Sequence, residues 1–570
     1  MATLRPPKAA QAPLTLVAAL WLVSCTTPAP PQPTPDWTRS VLAPLEQQFL
    51  DVRDIADQVD VTRSLGAERS PRGVPLQDLE RQLDSARATF ADALAATRED
   101  SLGTDDRNAL AAMRKRVVSG FTFTASDATD SGAQPTCDYD ARALARVDSG
   151  ATLRARVVAC YGLAARNVRV GDSTYDRLTV FGRLDREPDE ARRREFFMAL
   201  DTVWRSVNGD GGPSSPFRVL LPGRAAQWRA GNSPVVTTSR LLGVPADSIE
   251  RWLVSVLEAW RDATAGPELE PWDFRYTAGA ADRRLTDRVT LAQLSDINAR
   301  YFAALGADLP ALNVRFDLDP RPGKTAVAYT TFGERPRWTA NGWTSGEPWI
   351  FATYTTGGFG NLGEMMHETG HAVHVAAIRT RPAFDDWPDS DTWTEAVGDL
   401  LALDAFEPAW QQHWLGDSAT VRDGLRAKYS AVVLDVAWAL FELRVYANPR
   451  LDPNAVWTDI TQHYLHVVPH PELSWWAMRG QLIDSPGYML NYALGAMIVA
   501  DIRATLLAQR GDWTRGDPGW YADVSERLYR FGGERPARDV ISDFLGRPFT
   551  PAALLSDLAR MSTPLAPPLK

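Results

Sequence analysis

The spacing of apolar residues predicts helices along most of the chain. Between Leu76 and Leu94 the apolar side chains recur every three or four residues, and charged side chains occupy the opposite face. The segment from Ile249 to Trp260 repeats this pattern, and clusters of proline and glycine separate such segments. We therefore expect residues 36–318 to be mainly helical.

A different pattern follows Pro320. Residues 324–332 and 348–354 form two short segments that are rich in β-branched and aromatic side chains, which is typical of strands. A glycine-containing loop at residues 355–360 then leads into a predicted helix over residues 361–378. These elements predict a small β-sheet beside that helix.

The remainder of the chain returns to helical spacing. A second helix is predicted over residues 393–406, and the helical pattern continues to about Leu558. Apolar residues make up 45% and charged residues 23% of the 570 positions, which is an ordinary globular composition. The expected fold class is therefore mainly α.

The net charge narrows the classes of partner. The chain carries 61 basic and 71 acidic residues, a formal charge of −10. Proteins that bind nucleic acids usually present a basic patch or stripe to the phosphates. We therefore expect no nucleic-acid partner.

The N-terminus has the features of an export signal. Arg5 and Lys8 precede an apolar stretch at residues 14–23, which is too short for a stable membrane anchor. The stretch ends at Cys25, in a pattern that resembles the bacterial lipobox, where the cysteine is lipidated. The alternative is an ordinary signal peptide with an incidental cysteine.

The lipobox interpretation assigns residues 1–24 to a signal peptide and residues 25–36 to a lipidated cysteine with a proline-rich tether. It predicts an exported bacterial lipoprotein that a lipid on Cys25 anchors on the periplasmic side of the cell envelope. Thr26 follows the cysteine where an aspartate would favour the inner membrane, so the outer membrane is favoured. Cys137 and Cys160 could form a disulfide in an oxidising compartment, but the sequence does not decide this.

The seven histidines all lie between residues 367 and 470, and two of them form an HExxH motif. His367 and His371 are four residues apart, so both imidazoles share one face of a helix and can bind one metal ion. Glu368 lies beside the open side of the ion and can accept a proton from water. Zinc suits such a site because it polarises a carbonyl without redox chemistry. We expect one zinc ion per chain.

A third ligand is expected from a following helix. A metzincin would have a glycine at His374 and a histidine at Ala377, so that pattern fails. Glu395 is the favoured third ligand, and Asp399 one turn later can orient a ligating histidine. Two alternatives remain open at this stage: Glu395 could cap its own helix, and Glu364 could be a rival ligand. His374 falls off the two-histidine face and is expected to pack, to support the site or to line the substrate wall.

The sequence HETGHAVH, followed by Glu395, resembles the gluzincin peptidases. The similarity is to the thimet oligopeptidase and oligoendopeptidase F group and to the angiotensin-converting-enzyme group. Residues 395–399 are much like the third-ligand segment of the second group, and residues 323–329 and 272–276 show weaker similarities to the first group. The resemblance covers about residues 270–555, and the motifs around the metal are its specific part.

This resemblance implies an elongated helical zincin body with a deep substrate channel and zinc on the channel floor. Residues 37–318 would form the helical channel wall, and residues 319–570 would form the catalytic half. The implied substrates are short unfolded peptides, and we expect a monomer. The resemblance also implies that the strand at residues 348–354 is an edge that pairs with the substrate backbone.

Two tyrosines match a family segment that faces the zinc. Tyr492, and with it Tyr488, would donate to the oxyanion of the tetrahedral intermediate, although one helical turn between them also fits a packing role. Both family groups place a histidine shortly before these tyrosines, where this chain has Gln481, Asp484 and Ser485. His470 is the candidate substitute for that histidine.

Three functions remain open from the sequence. The first is an oligopeptidase that cuts short peptides internally. The second is a dipeptidyl carboxypeptidase, which needs a cation for the terminal carboxylate, and Arg479 is the only cation near the tyrosine segment. The third is a lipid-anchored peptide-binding protein with weak or no catalysis.

Overall fold

The computed structural model describes residues 34–119, 136–137, 140–142, 150–321, 324 and 327–562. The described chain is mainly helical, as the apolar spacing predicts. In chain order the α-helices α1 to α23 are Ala43–Ser64, Leu76–Ala96, Thr104–Ser119, Ala151–Arg166, Arg177–Arg186, Glu190–Ala199, Asp201–Asn208, Pro216–Gln227, Pro234–Leu242, Ala246–Ala263, Phe274–Ala278, Ala280–Leu285, Leu294–Ala304, Phe359–Ala377, Asp391–Ala402, Pro408–Leu415, Val421–Ala447, Pro453–Leu465, Gln481–Asp484, Met489–Arg510, Trp520–Arg527, Ala537–Leu545 and Ala552–Ala559.

The strands are short and form three small sheets. In chain order the strands β1 to β7 are Val168–Val170, Ser173–Tyr175, Arg315–Asp317, Tyr329–Glu334, Arg337–Thr339, Gly342–Thr344 and Glu347–Phe351. Strands β1 and β2 form one hairpin and β5 and β6 another, while β3, β7 and β4 form a three-stranded sheet in that order. This sheet packs beside α14, where the sequence predicts it.

The position of β7 corrects one expectation. The strand predicted at residues 348–354 was expected to be an edge, but β7 lies in the middle of its sheet. It pairs in parallel with β3, where Phe316 lies opposite Ile350, and antiparallel with β4, where Thr330 lies opposite Ile350. Strand β3 comes from the part of the chain whose pattern predicts helices, so no local pattern indicates this second partner of β7. Strands β3 and β4 are the edges.

One continuous core joins the two predicted halves. Its buried apolar residues extend from Ala141 to Met561 and include both Trp260 of α10 and Met366 of α14. Helices α1 to α3 pack on a smaller core of their own, with Phe49 and Phe90 buried at its centre. The helical first part of the chain therefore shares its main core with the helices of the second part.

Ion pairs join the small core of α1 to α3 to the rest of the molecule. Arg381 binds the buried carboxylate of Glu46 at 2.7 Å, and Arg335 binds Asp57 of α1 at 2.5 Å. Gln58 of α1 also donates to the Gly333 carbonyl of β4 at 2.7 Å. Helix α1 therefore lies beside the outer strand of the sheet.

The loop before α14 is held by residues of the first half. Asp282 of α12 accepts from the Phe359 amide at 2.5 Å and binds Arg186 of α5 at 2.6 Å, and Arg186 also donates to the Gly357 carbonyl at 2.9 Å. Gly358 has φ +111°, and a Cβ there would overlap the Arg186 guanidinium. The glycines of the predicted loop therefore allow a close backbone approach.

Two further features bear on the sequence expectations. Cys137 and Cys160 form a disulfide, with Cα atoms 5.6 Å apart, which settles the pairing that the sequence left open. Among the described residues, one helix, α20, is long and apolar enough to cross a membrane by length and composition alone. Most of that apolar stretch is buried inside the molecule, as in a core helix.

Candidate metal centre

Three predicted ligands meet between helices α14 and α15. The Nε2 atoms of His367 and His371 lie 3.0 Å apart, and Glu395 Oε2 of α15 lies 3.6 Å from His367 Nε2. One ligand atom from each of the three residues lies within 4.8 Å of the others. The two histidines lie one turn apart on α14, and Glu395 lies near the start of α15. These positions bring two imidazoles and one carboxylate together, as the sequence predicts.

The spacing of these atoms fits a zinc ion. Zinc bonds of about 2.0–2.2 Å in a tetrahedral arrangement separate ligand atoms by roughly 3.3–3.5 Å. The observed separations of 3.0 Å and 3.6 Å lie close to these values. Two imidazoles and a carboxylate also match the donor set of catalytic zinc sites. A zinc ion would be held by His367, His371 and Glu395.

Asp399 lies where the sequence predicts it. Its Oδ1 atom is 2.8 Å from His367 Nδ1, so it holds the ring with Nε2 toward the other ligands. Burial alone would lower the pKa of His367, but the hydrogen bond and charge of Asp399 raise it well above its ordinary value. Burial, followed by the charge of His367, lowers the pKa of His371. His371 is thus held in the neutral form that binds a metal.

Two glycines allow the ligand helices to come this close. A Cβ on Gly398 of α15 would lie 2.7 Å from His367 Cε1 and 2.7 Å from His371 Nε2. A Cβ on Gly370 of α14 would lie 2.6 Å from the Gly398 carbonyl oxygen. A side chain at Gly370 would push the helices apart, and a side chain at Gly398 would displace the two imidazoles. Gly370 is part of the motif, whereas no local pattern marks Gly398, and only the helix crossing reveals its role.

Glu368 lies beside the three ligands in a buried position. It is 6% exposed, and the Thr330 hydroxyl of β4 lies 2.7 Å from its Oε2 atom and 2.9 Å from its backbone oxygen. Burial raises the pKa of Glu368, while the charge of His367 and the Thr330 hydrogen bond oppose that rise. A carboxylate with a raised pKa is a better proton acceptor. Sequence reasoning missed Thr330, because nothing in a strand pattern marks which residue meets a helix 38 positions later.

Both predicted tyrosines are near Glu395. The Tyr488 hydroxyl donates to Glu395 Oε1 at 3.2 Å, and the rings of Tyr488 and Tyr492 are 5.4 Å apart. Burial, together with the charge of Glu395, raises the pKa of both tyrosines, so both keep their protons at neutral pH. Each can therefore act as a hydrogen-bond donor.

The segment before the tyrosines supplies Gln481 in place of a histidine. The side-chain amide of Gln481 lies beside Tyr492. Its hydrogen bond to Tyr492 opposes part of the rise in the pKa of this tyrosine. Arg479 lies 5.9 Å from the centre of the Tyr492 ring and is hydrogen-bonded to Asp435 of α17. Asp435 itself is buried next to these groups, a contact that sequence reasoning missed.

His470 does not take the role of the family histidine in this structure. Its Nδ1 atom is 2.7 Å from Glu472 and its Nε2 atom 2.8 Å from Glu270, so both ring nitrogens are engaged elsewhere. The group of metal-ligating side chains found among the described residues contains neither His470 nor the rival ligand Glu364.

His374 is fully buried, as a residue off the ligand face would be. Its ring packs 5.8 Å from Trp387 and 5.2 Å from Tyr529, and burial lowers its pKa to about 3. Neither ring nitrogen has a hydrogen-bond partner among the described residues. These contacts agree with the packing role among the roles that the sequence left open.

We predict that Gly398→Ala weakens zinc binding at least tenfold, because the new methyl group would displace both imidazoles. Changes that disturb the orientation of metal ligands typically lower metal affinity by roughly 10–100-fold. Zinc affinity is measured by competition with a chelating dye. The matched control is Gly363→Ala on α14, where the nearest atom to a new Cβ is Phe406 Cζ at 3.7 Å. Equal zinc affinity in the two variants would contradict the glycine-dependent helix approach.

Comparisons with known proteins agree with this architecture. No protein-family model matches the chain, and no curated protein matches it by sequence. A solved structure assigned as an oligoendopeptidase F has a TM-score of 0.53 and 17% identity, and the match covers 92% of this chain and 96% of that chain. A PZ peptidase A solved with an inhibitor has a TM-score of 0.52 and 14% identity, over 92% of this chain and 97% of that one. This protein therefore has the zincin-like fold of these peptidase structures.

Proposed function

We propose that this protein is a zinc-dependent peptidase that cuts short unfolded peptides. The observation that carries the proposal is the meeting of His367, His371 and Glu395 around one point, with the buried carboxyl of Glu368 beside them. The same fold in two peptidase structures supports the reaction class. Short unfolded peptides are the substrates that the resemblance of the metal motifs implies.

Each residue of the site has a separate role in the proposed hydrolysis. Zinc, when bound, lowers the pKa of a coordinated water and polarises the carbonyl of the peptide bond. Glu368 accepts the proton of the attacking water and passes it to the leaving amine, while Thr330 holds one oxygen of that carboxyl. Tyr492 keeps its proton and donates a hydrogen bond to the oxyanion that forms from the carbonyl oxygen, while Tyr488, whose hydroxyl donates to Glu395, lies beside it.

Internal cleavage is favoured over release of C-terminal dipeptides. The second reaction needs a cation that is free to bind the terminal carboxylate of the substrate. Arg479 is the candidate from the sequence, but it is already paired with Asp435 and packs over Trp438 at 4.9 Å. Binding a substrate carboxylate would require breaking that pair and leaving Asp435 buried without a partner.

The direct test is to incubate the zinc-loaded protein with a mixture of peptides of about ten residues and to read the product masses. We expect internal fragments that disappear when a chelator is added. A matched sample of a folded protein should stay intact. Products that are all C-terminal dipeptides would select the carboxypeptidase alternative, and no products at all would select the peptide-binding alternative and reject the proposal.

A second prediction concerns the proton acceptor. Glu368→Gln should lose at least about a thousandfold in kcat, because the amide cannot accept the proton of water, while zinc affinity stays within a few-fold. The control is Glu364→Gln, one turn earlier on α14, which should keep activity within about tenfold. Turnover is measured with a fluorogenic peptide, and zinc affinity is measured separately. Wild-type activity in Glu368→Gln would reject the mechanism.

We also propose that the protein is exported and held at the outer membrane by a lipid on Cys25. The lipobox-like sequence and the proline-rich tether support this location. The Cys137–Cys160 disulfide agrees with it, because such bonds persist in oxidising compartments.

We predict that Cys25→Ser moves the protein from the membrane fraction to the soluble fraction of the cell envelope. The measurement is an immunoblot of separated fractions from a Gram-negative host. Cys160→Ser is the control, since it removes a cysteine without touching the anchor. Equal membrane association of wild type and Cys25→Ser would reject the lipid anchor.

A further inference from the structure

The carboxyl of Glu442 binds the backbone directly before Tyr488. Its Oε1 atom accepts from the Gly487 amide at 2.7 Å, and its buried Oε2 atom has no hydrogen-bond partner among the described residues. Glu442 belongs to α17, whereas Tyr488 immediately precedes α20. A side chain from one core helix therefore fixes the backbone at the start of another.

The backbone before Tyr488 is restrained from the opposite side as well. Gly487 has φ +91°, a left-handed conformation that glycine adopts without strain. A Cβ on Gly487 would overlap Pro234 of α9 and lie 3.3 Å from Trp228. The turn is thus enclosed between Pro234 and Glu442, and the direction of the Tyr488 side chain follows from it.

Glu442 is an unusual residue for such a position. It is 2% exposed, and among the described residues no lysine or arginine charge acts on its pKa. Burial raises its pKa to about 8, and the nearby backbone amides of Gly487 and Met489 only partly oppose this rise. A buried carboxyl without an ion pair is unfavourable compared with an apolar side chain, so its presence indicates a role other than packing.

The Tyr488 side chain connects this restrained turn to the candidate metal centre. Its hydroxyl donates to Glu395 Oε1 at 3.2 Å, which leaves Oε2 as the oxygen facing His367. Loss of a partner that orients a metal ligand typically lowers the metal affinity by roughly 10–100-fold. We propose that Glu442 is a positioning residue that holds Tyr488 against Glu395 and thereby sets the orientation of this metal ligand. The proposal deepens the proposed function, but its test does not depend on turnover.

The test is a double-mutant cycle on zinc affinity. Glu442→Met keeps the length of the side chain but removes its carboxyl, and Tyr488→Phe removes the hydroxyl. We expect each single variant to weaken zinc binding about tenfold. The double variant should be no weaker than the weaker single variant, within about threefold, because both changes remove the same interaction.

Two controls separate positioning from general destabilisation. Glu442→Gln keeps a carbonyl oxygen and resembles the protonated carboxyl, so zinc affinity should stay within about threefold of wild type. Val433→Ala creates a small cavity in the same helix at a fully buried position and should lower Tm without changing zinc affinity. Thermal unfolding of every variant shows that affinity is measured on folded protein, and Glu442→Leu is the substitute if the methionine variant does not fold.

The outcomes decide the proposal in either direction. Wild-type zinc affinity in folded Glu442→Met, or losses that multiply in the double variant, would overturn it. Equal losses in Glu442→Met and Glu442→Gln would overturn it too, because the amide keeps an acceptor. If wild type binds zinc but cuts no peptide, the proposed function fails while the zinc cycle still tests the role of Glu442.

Discussion

The close contact between helices α14 and α15 is the constraint on which the candidate metal centre depends. His367 and His371 come from one helix and Glu395 from the other, so the distance between the helix axes sets the distance between ligands. The backbones meet at Gly370 and Gly398, where no side chain fits. Helices of ordinary sequence pack 8–10 Å apart, and glycines at the crossing permit a closer approach. The ligand geometry therefore follows from the absence of two side chains.

This close packing concentrates negative charge, so a cation bound at the candidate site would stabilise the folded protein. Burial raises the pKa of Glu364 to about 7, and the neighbouring charge of Glu368 adds to the rise. Burial also raises the pKa of Asp435 to about 6; Arg479 opposes this rise, and Asp399 and Glu395 add to it. Carboxyls that repel one another favour any cation that binds among them. A ligand that binds only the folded protein stabilises it, so a bound cation would stabilise the crossing that forms its own site.

The sequence predicts this centre better than its surroundings, for a physical reason. His367, His371, Glu395 and Asp399 each lie one helical turn from a partner on the same helix, and a periodic spacing of that kind is visible in one dimension. The contact of Thr330 with Glu368 joins a strand to a helix and has no such periodicity. The same holds for β3, which pairs with a strand more than thirty residues later and places β7 in the middle of the sheet. Long-range pairing of this kind depends on how elements pack, which local pattern does not encode.

The long helical first part of the chain is therefore more than a wall around the site. Its residues Arg186 and Asp282 fix the loop and the first amide of α14, which sets where the metal-binding helix begins. On the other side, α17 directs one carboxyl to the turn at Tyr488 and another, Asp435, to Arg479 beside Tyr492. These two carboxyls are seven residues apart, so two turns of one helix bring both to the same side. The ligand helices supply the candidate ligands, and helices from both halves of the chain determine how these side chains are oriented.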